Sequence, residues 1–197
     1  MNSELLVSEF LSKYNLTAKR FDKDSVRQGK TPDFRVYSGN ELSLYCEVKN
    51  TEKDTWLDEK LDNAISGELV GGHRKDPVFN RLSTHIHKAA KQFSAVNSNE
   101  EFPNVLAFHN QDQMSGFLDL LAVTTGNAYC ENGNALPIYK SFSEGRVKVD
   151  IEKIHLFIWL DDYKPCRFLF NSINNRFLTK LCEVFKVNAE SLILTHS

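Results

Sequence analysis

Two acids and a lysine stand in a stretch of sequence that otherwise alternates like a β-hairpin. Asp33 follows a proline, and Glu47 and Lys49 lie near the end of the alternating run 41–49. Strands favour β-branched and aromatic residues, so charged side chains at these positions need an explanation. Side chains alternate between the two faces of a strand, so Glu47 and Lys49 are expected to project from the same face.

A hairpin around Gly39 would bring the two acids together. The strands are predicted at 33–37 and 41–49, so Asp33 starts one strand and Glu47 lies near the end of the other. Two carboxylates that close repel each other unless a cation lies between them. A small set of oxygen ligands with positions left for water suits Mg²⁺ or Mn²⁺. The face turned away from these charges is expected to hold Leu42, Leu44, Cys46 and Val48.

A lysine beside such a cation completes a hydrolytic site. Its ammonium can orient a metal-bound water, favour hydroxide and stabilise the charge that develops on a phosphate. Asp33, Glu47 and Lys49 therefore indicate phosphodiester hydrolysis. The leading hypothesis is a Mg²⁺-dependent nuclease whose partner is nucleic acid, with DNA preferred over RNA.

The motif resembles that of a known group of enzymes. Pro32-Asp33, followed fourteen positions after the Asp by Glu47-Val48-Lys49, resembles the PD-(D/E)xK nuclease superfamily, which has the restriction-endonuclease-like fold. The order of the surrounding elements is also similar. The resemblance implies that Asp33 and Glu47 bind the metal together with the backbone carbonyl of Val48, and that Lys49 serves the attacking water.

Two further Asp-x-Lys triplets occur in the chain. The first, 58–60, lies on a predicted helix, whereas the second, 162–164, follows an apolar strand and comes twelve residues after Asp150. The second triplet therefore stays as a competitor. The hairpin, the shared strand face and the Pro-Asp start favour the site formed by Asp33, Glu47 and Lys49. The alternative for that site is an ordinary exposed strand edge, where acids and lysines discourage aggregation.

A strongly amphipathic helix is predicted from Val78 onward. Its apolar face holds Phe79, Leu82, Ile86, Ala89, Ala90 and Phe93. A second stripe holds Arg81, His85, Lys88 and Gln92. The resemblance implies that Gln92 orients the water or a phosphate. Lys88 and Arg81 are candidate substrate contacts, and a helix with one solvated face is the alternative.

Three weaker candidates lie outside the hairpin and this helix. Arg74 and Lys75 follow two glycines in a loop that could contact a phosphate backbone or simply connect two elements. Glu9 borders the apolar face of a helix predicted over 3–14, and the resemblance implies an extra metal ligand there. Glu4 is a rival, and solvent exposure is the alternative.

The three histidines of the middle region carry less weight. His85 and His87 are two apart on a helix and do not face each other, so they are not expected to share an ion. His109 follows a predicted strand and is expected at the surface or in a loop.

The totals limit the classes of function. The chain has 197 residues and a formal net charge of −2, which argues against whole-surface binding of nucleic acid but allows a local basic groove. Basic stretches at 19–30 and 73–91 bracket an acidic one at 41–68. The four cysteines are scattered, so neither a zinc site nor a disulfide is expected. The chain lacks a long apolar run, so no membrane partner and a cytoplasmic location are expected.

The elements predict a single α/β domain over 1–197, with a restriction-endonuclease-like mixed β-sheet flanked by helices. Helices are predicted over 3–14 (with Ser3 as N-cap), within 52–77 before the helix gives way to Gly71-Gly72 and Pro77, and over 174–185. Strands are predicted over 16–21, 104–110, 154–162 and 166–171, and 118–125 is ambiguous between helix and strand. Because one site cuts one strand, double-strand cleavage would require a homodimer or two successive nicks. The alternatives are a catalytically weak or inactive module that binds nucleic acid or a protein, and a hydrolase of other phosphate esters.

Overall fold

The computed structural model describes residues 2–22, 31–51, 55–71, 78–113, 115–130, 132, 134–138, 144–162 and 164–188. The strands, in chain order, are β1 (Leu16–Arg20), β2 (Phe34–Ser38), β3 (Glu41–Thr51), β4 (Asn104–Asn110), β5 (Asn127–Tyr129), β6 (Ala135–Pro137), β7 (Leu156–Asp161) and β8 (Lys164–Phe170). The described helices are α1 (Ser3–Ser12), α2 (Trp56–Asp62), α3 (Val78–Val96), α4 (Phe117–Thr125), α5 (Glu144–Ile151) and α6 (Leu178–Phe185). None of these six helices combines the length and apolar character needed to cross a lipid bilayer.

Six strands form one mixed sheet in the order β1-β2-β3-β4-β7-β8. The first three strands pair antiparallel, β3, β4 and β7 pair parallel, and β8 returns antiparallel to β7. Parallel neighbours require long crossover connections. Helices α2 and α3 provide the first crossover, and α4 and α5 lie in the second. The predicted α/β domain with a mixed sheet flanked by helices is thus confirmed.

Helices cover both faces of the sheet, which explains why its central strands are so apolar. On β4, Val105 and Ala107 pack with α1 and α6, whereas Leu106 and Phe108 pack with α3, α4 and α5. A strand buried on both faces is expected to be continuously apolar. Glu47 therefore lies on the sheet face that α3, α4 and α5 cover, which forms a second hydrophobic core and is not a solvated surface.

A β-bulge in β3 corrects one prediction about that strand. Val36 pairs with Leu44 but Tyr37 pairs with Leu42, so Ser43 is an extra residue in the ladder. An extra residue reverses the facing of the side chains beyond it. Leu42 consequently packs on the α3 side of the sheet, and the expectation that it shares a face with Leu44 was wrong. The turn itself lies where predicted, around Gly39, whose φ is 60°.

The N-cap of α1 is Asn2 and not Ser3. The Asn2 side chain accepts a hydrogen bond from the Glu4 backbone N–H at 3.0 Å. Ser3 instead lies inside the first turn, and its hydroxyl contacts Nδ1 of His109 at 2.9 Å. The sequence placed the start of the helix one residue too late.

Replacing Asn2 by alanine should destabilise the protein by about 1 kcal/mol, because one of the first helical N–H groups loses its partner. Urea unfolding measures this change. A glycine at the same position should cost only a few tenths of that energy, and equal losses for the two variants would contradict the capping role.

The helix predicted within 52–77 is shorter in the structure. Among the described residues of this range only α2 is helical, and residues 63–71 are turns and irregular chain, whereas 52–54 and 72–77 lie outside the described residues. Leu61 and Ile65 are 53% and 79% exposed, so their apolar spacing does not mark a buried face. The ambiguous stretch 118–125 is helical, and α4 ends at Gly126 with a φ of 75°.

Candidate functional site

The end of the β2–β3 hairpin brings the two predicted acids together. The ladder stops at the pair Phe34–Cys46, and Asp33 and Glu47 are the next residues on each strand. The Asp33 backbone N–H donates to Glu47 Oε2 at 3.0 Å. The Val48 backbone N–H donates to Asp33 Oδ2 at 2.8 Å. Each carboxylate is therefore fixed by the backbone beside the other, as the hairpin predicts.

The backbone carbonyl of Val48 points to the same edge of β3 as its N–H. In an extended strand, both polar backbone groups of one residue face the same neighbour. The Val48 N–H faces Asp33, whereas the N–H of Tyr45 faces the opposite edge and donates to the Pro103 carbonyl at 2.9 Å. By this geometry the carbonyl of Val48 is expected on the same edge of β3 as Asp33.

Glu47 is the most perturbed acid of the site. The residue is 1% exposed. Burial, and then the neighbouring charge of Asp33, raises the pKa of Glu47 to about 7, while the ammonium of Lys49 acts in the opposite direction. Lys49 Nζ forms an ion pair with Glu47 Oε1. A buried carboxylate beside a second acid is the electrostatic setting that a bound cation would relieve.

Gln92 of α3 connects the lysine to the start of the hairpin. Its Oε1 accepts a hydrogen bond from Lys49 Nζ at 3.3 Å. Its Nε2 donates to the Thr31 carbonyl at 2.9 Å. The helix after the hairpin therefore brings Gln92 to the lysine, whereas the predicted role of Gln92 toward water or a phosphate stays a prediction.

A cleft of about 430 Å³ opens beside these residues. It is lined by Lys49, His87, Lys88, Lys91 and Gln92. Lys88 was predicted here. The sequence analysis missed Lys91 as a site residue, although its spacing of three residues from Lys88 on one helix was a usable signal.

His87 also belongs to the cleft, and the sequence analysis gave it no role there. Its Nδ1 lies 3.0 Å from Asp150 Oδ2 on α5. The two residues are 63 positions apart, so no local pattern could have paired them.

Several predicted site residues lie elsewhere. Arg81 pairs with the buried Asp112 at 2.9 Å and is not among the residues that line the cleft. Glu9 is exposed on α1, which packs against the sheet face opposite to Glu47, so the structure does not bring it to the acids. Arg74 and Lys75 lie outside the described residues.

Among the described side chains of the competing triplets, the acids do not converge on one another. Asp150 contacts His87, whereas Asp162 Oδ1 lies 2.8 Å from Nε2 of His109, so the two acids have different partners. His109 is fully buried inside β4, and the expectation that it lies at the surface was wrong. Glu59 is exposed on α2.

The donor set of the hairpin site fits a hard divalent cation. Two carboxylates and one carbonyl are oxygen ligands, which Mg²⁺ and Mn²⁺ prefer, and their small number leaves positions for water. No group of three or more His, Cys, Asp and Glu side chains converges in the part of the chain that the structure describes. A metal held by Asp33 and Glu47 would thus depend on Val48 and water for its remaining ligands.

Comparisons of the chain with protein-family models, with curated proteins and with solved structures found no match. The function must accordingly be inferred from the hairpin site and from the cleft beside it.

Proposed function

We propose that this protein is a metal-dependent nuclease of the PD-(D/E)xK type that hydrolyses phosphodiester bonds in DNA. The observation that carries the proposal is the mutual contact of Asp33 and Glu47, with Lys49 paired to the second acid. The mixed sheet with its antiparallel hairpin and helical crossovers supports a restriction-endonuclease-like fold. Mg²⁺ is the proposed cofactor, and Mn²⁺ would serve the same ligands.

The proposed ligands are the carboxylates of Asp33 and Glu47 and the carbonyl of Val48. When bound, Mg²⁺ polarises the phosphate and lowers the pKa of a coordinated water. Because burial raises the pKa of Glu47 to about 7, a cation at this position would also favour its ionised form.

Lys49 and Gln92 act on the water and the phosphate. The Lys49 ammonium lies between the Glu47 carboxylate and the Gln92 amide, so its position is fixed from two sides. In that position it orients the attacking water and stabilises the negative charge that develops on the phosphate. Gln92 is itself anchored to Thr31 and acts by holding the lysine. Lys88 lines the same cleft as Lys49. In this proposal its ammonium binds a phosphate of the substrate.

Incubation with supercoiled plasmid tests the proposal directly. The protein should convert the plasmid to nicked and then linear DNA in Mg²⁺ and leave it intact in EDTA. Nicks should precede linear product, because one site cuts one strand; a homodimer would instead give linear product from the start. A plasmid that stays intact in both Mg²⁺ and Mn²⁺ would overturn the proposal that the protein is a nuclease.

A catalytically weak binding module is the second candidate. One observation favours it: Glu47 is almost fully buried and already neutralised by Lys49. Such an internally paired site could hold the fold together without binding a metal. Retention of DNA in a gel shift, together with an intact plasmid, would support this module over the enzyme.

Replacing Gln92 by alanine should lower kcat by about 10-fold, because Lys49 keeps its charge but loses one of the two groups that fix it. Initial rates of plasmid nicking measure this change. Gln113→Ala, at an exposed glutamine after β4, is the matched control and should behave as wild type. A Gln92→Ala rate equal to that of the control would contradict the positioning role.

A further inference from the structure

Basic side chains continue past the hairpin site along the outer surface of α3. His87, Lys88 and Lys91 are all exposed and line the same cleft as Lys49. Residues three or four apart on a helix are neighbours, so Lys91 lies beside both Lys88 and His87. The three side chains therefore lie together next to the proposed reacting centre, and the two lysines among them are hydrogen-bond donors.

His87 is held in place from a second helix. Asp150, whose side chain is 19% exposed, accepts from the Nδ1–H of His87 at 3.0 Å. That contact fixes the tautomer, because a carboxylate requires a proton on the nitrogen it faces. Nε2 is then the ring nitrogen that remains for a ligand, and it donates to a phosphate only in the imidazolium form, because the neutral ring keeps its one proton on Nδ1.

The positive charge of the residues that line the cleft favours an anionic ligand. Among the residues that the structure describes, the five that line the cleft include three lysines and no acid. Clefts lined by one sign of charge concentrate ligands of the opposite sign. The volume of about 430 Å³ lies in the range of small-molecule sites and exceeds what a lone phosphate would fill. A phosphate attached to a nucleotide fits both properties.

We propose that this cleft binds the phosphate of the nucleotide next to the cleaved bond. Lys88, Lys91 and His87 hold that phosphate, and Asp150 is the positioning residue for His87. The inference rests on the proposed function, since Lys49 and Gln92 mark the reacting end of the same cleft. It implies a polynucleotide substrate with at least two consecutive phosphates and not a monoester or an isolated diester.

Binding of a short fluorescein-labelled DNA duplex in EDTA tests the subsite without cleavage. Fluorescence anisotropy of the 197-residue chain should show Kd raised about fivefold by Lys91→Ala and by His87→Ala. Lys91→Ala should also reduce the slope of log Kd against log salt by about one. Lys148→Ala, an exposed lysine on α5 that does not line this cleft, is the matched control and should match wild type.

Asp150 has its own test. Asp150→Ala should raise Kd as much as His87→Ala, and the double variant should show no further loss, because both changes remove the same contact. In cleavage assays the same variants should raise KM and leave kcat within about twofold. A purely structural role would instead lower the melting temperature and leave Kd unchanged.

The outcomes separate this subsite from the nuclease proposal. Weaker binding by the cleft variants with no cleavage by wild type would retain the subsite and reject the nuclease. Cleavage by wild type with unchanged Kd and KM in Lys91→Ala and His87→Ala would overturn the subsite alone. A loss in Lys148→Ala as large as in Lys91→Ala would also overturn it, because general surface charge would then explain the binding.

Discussion

Lys49→Ala is expected to lower the rate of Mg²⁺-dependent DNA cleavage by about 10³-fold while the fold stays intact. In the proposed mechanism the ammonium orients the water and stabilises charge on the phosphate, and alanine offers neither function. The side chain is 15% exposed and pairs with Glu47, so the variant also leaves a buried acid without its partner. Circular dichroism and the melting temperature must therefore be recorded beside the nicking rate.

The chain supplies a matched control for this variant. Lys60 belongs to a triplet of the same kind, but it is exposed on α2. Lys60→Ala removes the same charge from the surface and should leave the nicking rate within about twofold of wild type. Equal rates for Lys49→Ala and wild type would remove Lys49 from the mechanism.

Glu47→Gln is expected to abolish cleavage and, above neutral pH in EDTA, to stabilise the fold. The pKa of Glu47 is raised from 4.5 to about 7 by burial and by Asp33. Between these two pH values the folded state keeps a proton that the unfolded state has released. The free energy of unfolding therefore falls as the pH rises from 4.5 through 7, by at most about 3 kcal/mol.

Urea unfolding at pH 5 and pH 8 measures this effect as the difference between wild type and Glu47→Gln. The difference is needed because His155 contributes with the opposite sign: burial lowers its pKa to about 4, so its contribution is lost as the pH falls from 6.5 towards 4. From pH 5 to pH 8, the free energy of unfolding of Glu47→Gln should rise relative to that of wild type. Glu59→Gln, an exposed control, should show no such rise. An equal difference in the free energy of unfolding at pH 5 and at pH 8 would contradict the raised pKa of Glu47.

The hairpin and its acids could be predicted because the signals are local. Alternation with a period of two, a glycine turn and the spacing from Asp33 to Glu47 fix which residues meet across two adjacent strands. Gln92 was expected near the site because of the resemblance, and the helical period placed it on a stripe distinct from the apolar face. These features depend on residues near one another in the chain or on one regular element.

The remaining features depend on long-range packing. The bulge at Ser43 changes the facing of Leu42, and alternation alone gives no sign of it. The burial of Glu47 follows from helices that cover both sheet faces, which a single strand pattern cannot show. The pairs His87–Asp150 and Arg81–Asp112 join distant elements.

The apolar residues between β3 and α3 show that an apolar pattern can also predict burial where there is none. Leu61 and Ile65 have the spacing of a buried helix face, yet both are exposed. Periodicity reports which side chains share a face; whether another element covers that face depends on the rest of the chain. Burial could therefore not be assigned there from the sequence.

Binding of Mn²⁺, followed by its electron paramagnetic resonance signal, tests most directly whether Asp33 and Glu47 hold a divalent ion together. The wild-type protein should bind one ion per chain, Asp33→Asn and Glu47→Gln should each lose it, and Lys49→Ala should retain it because its ammonium is not a ligand. Undiminished binding in both carboxylate variants, or no binding by wild type, would contradict the account.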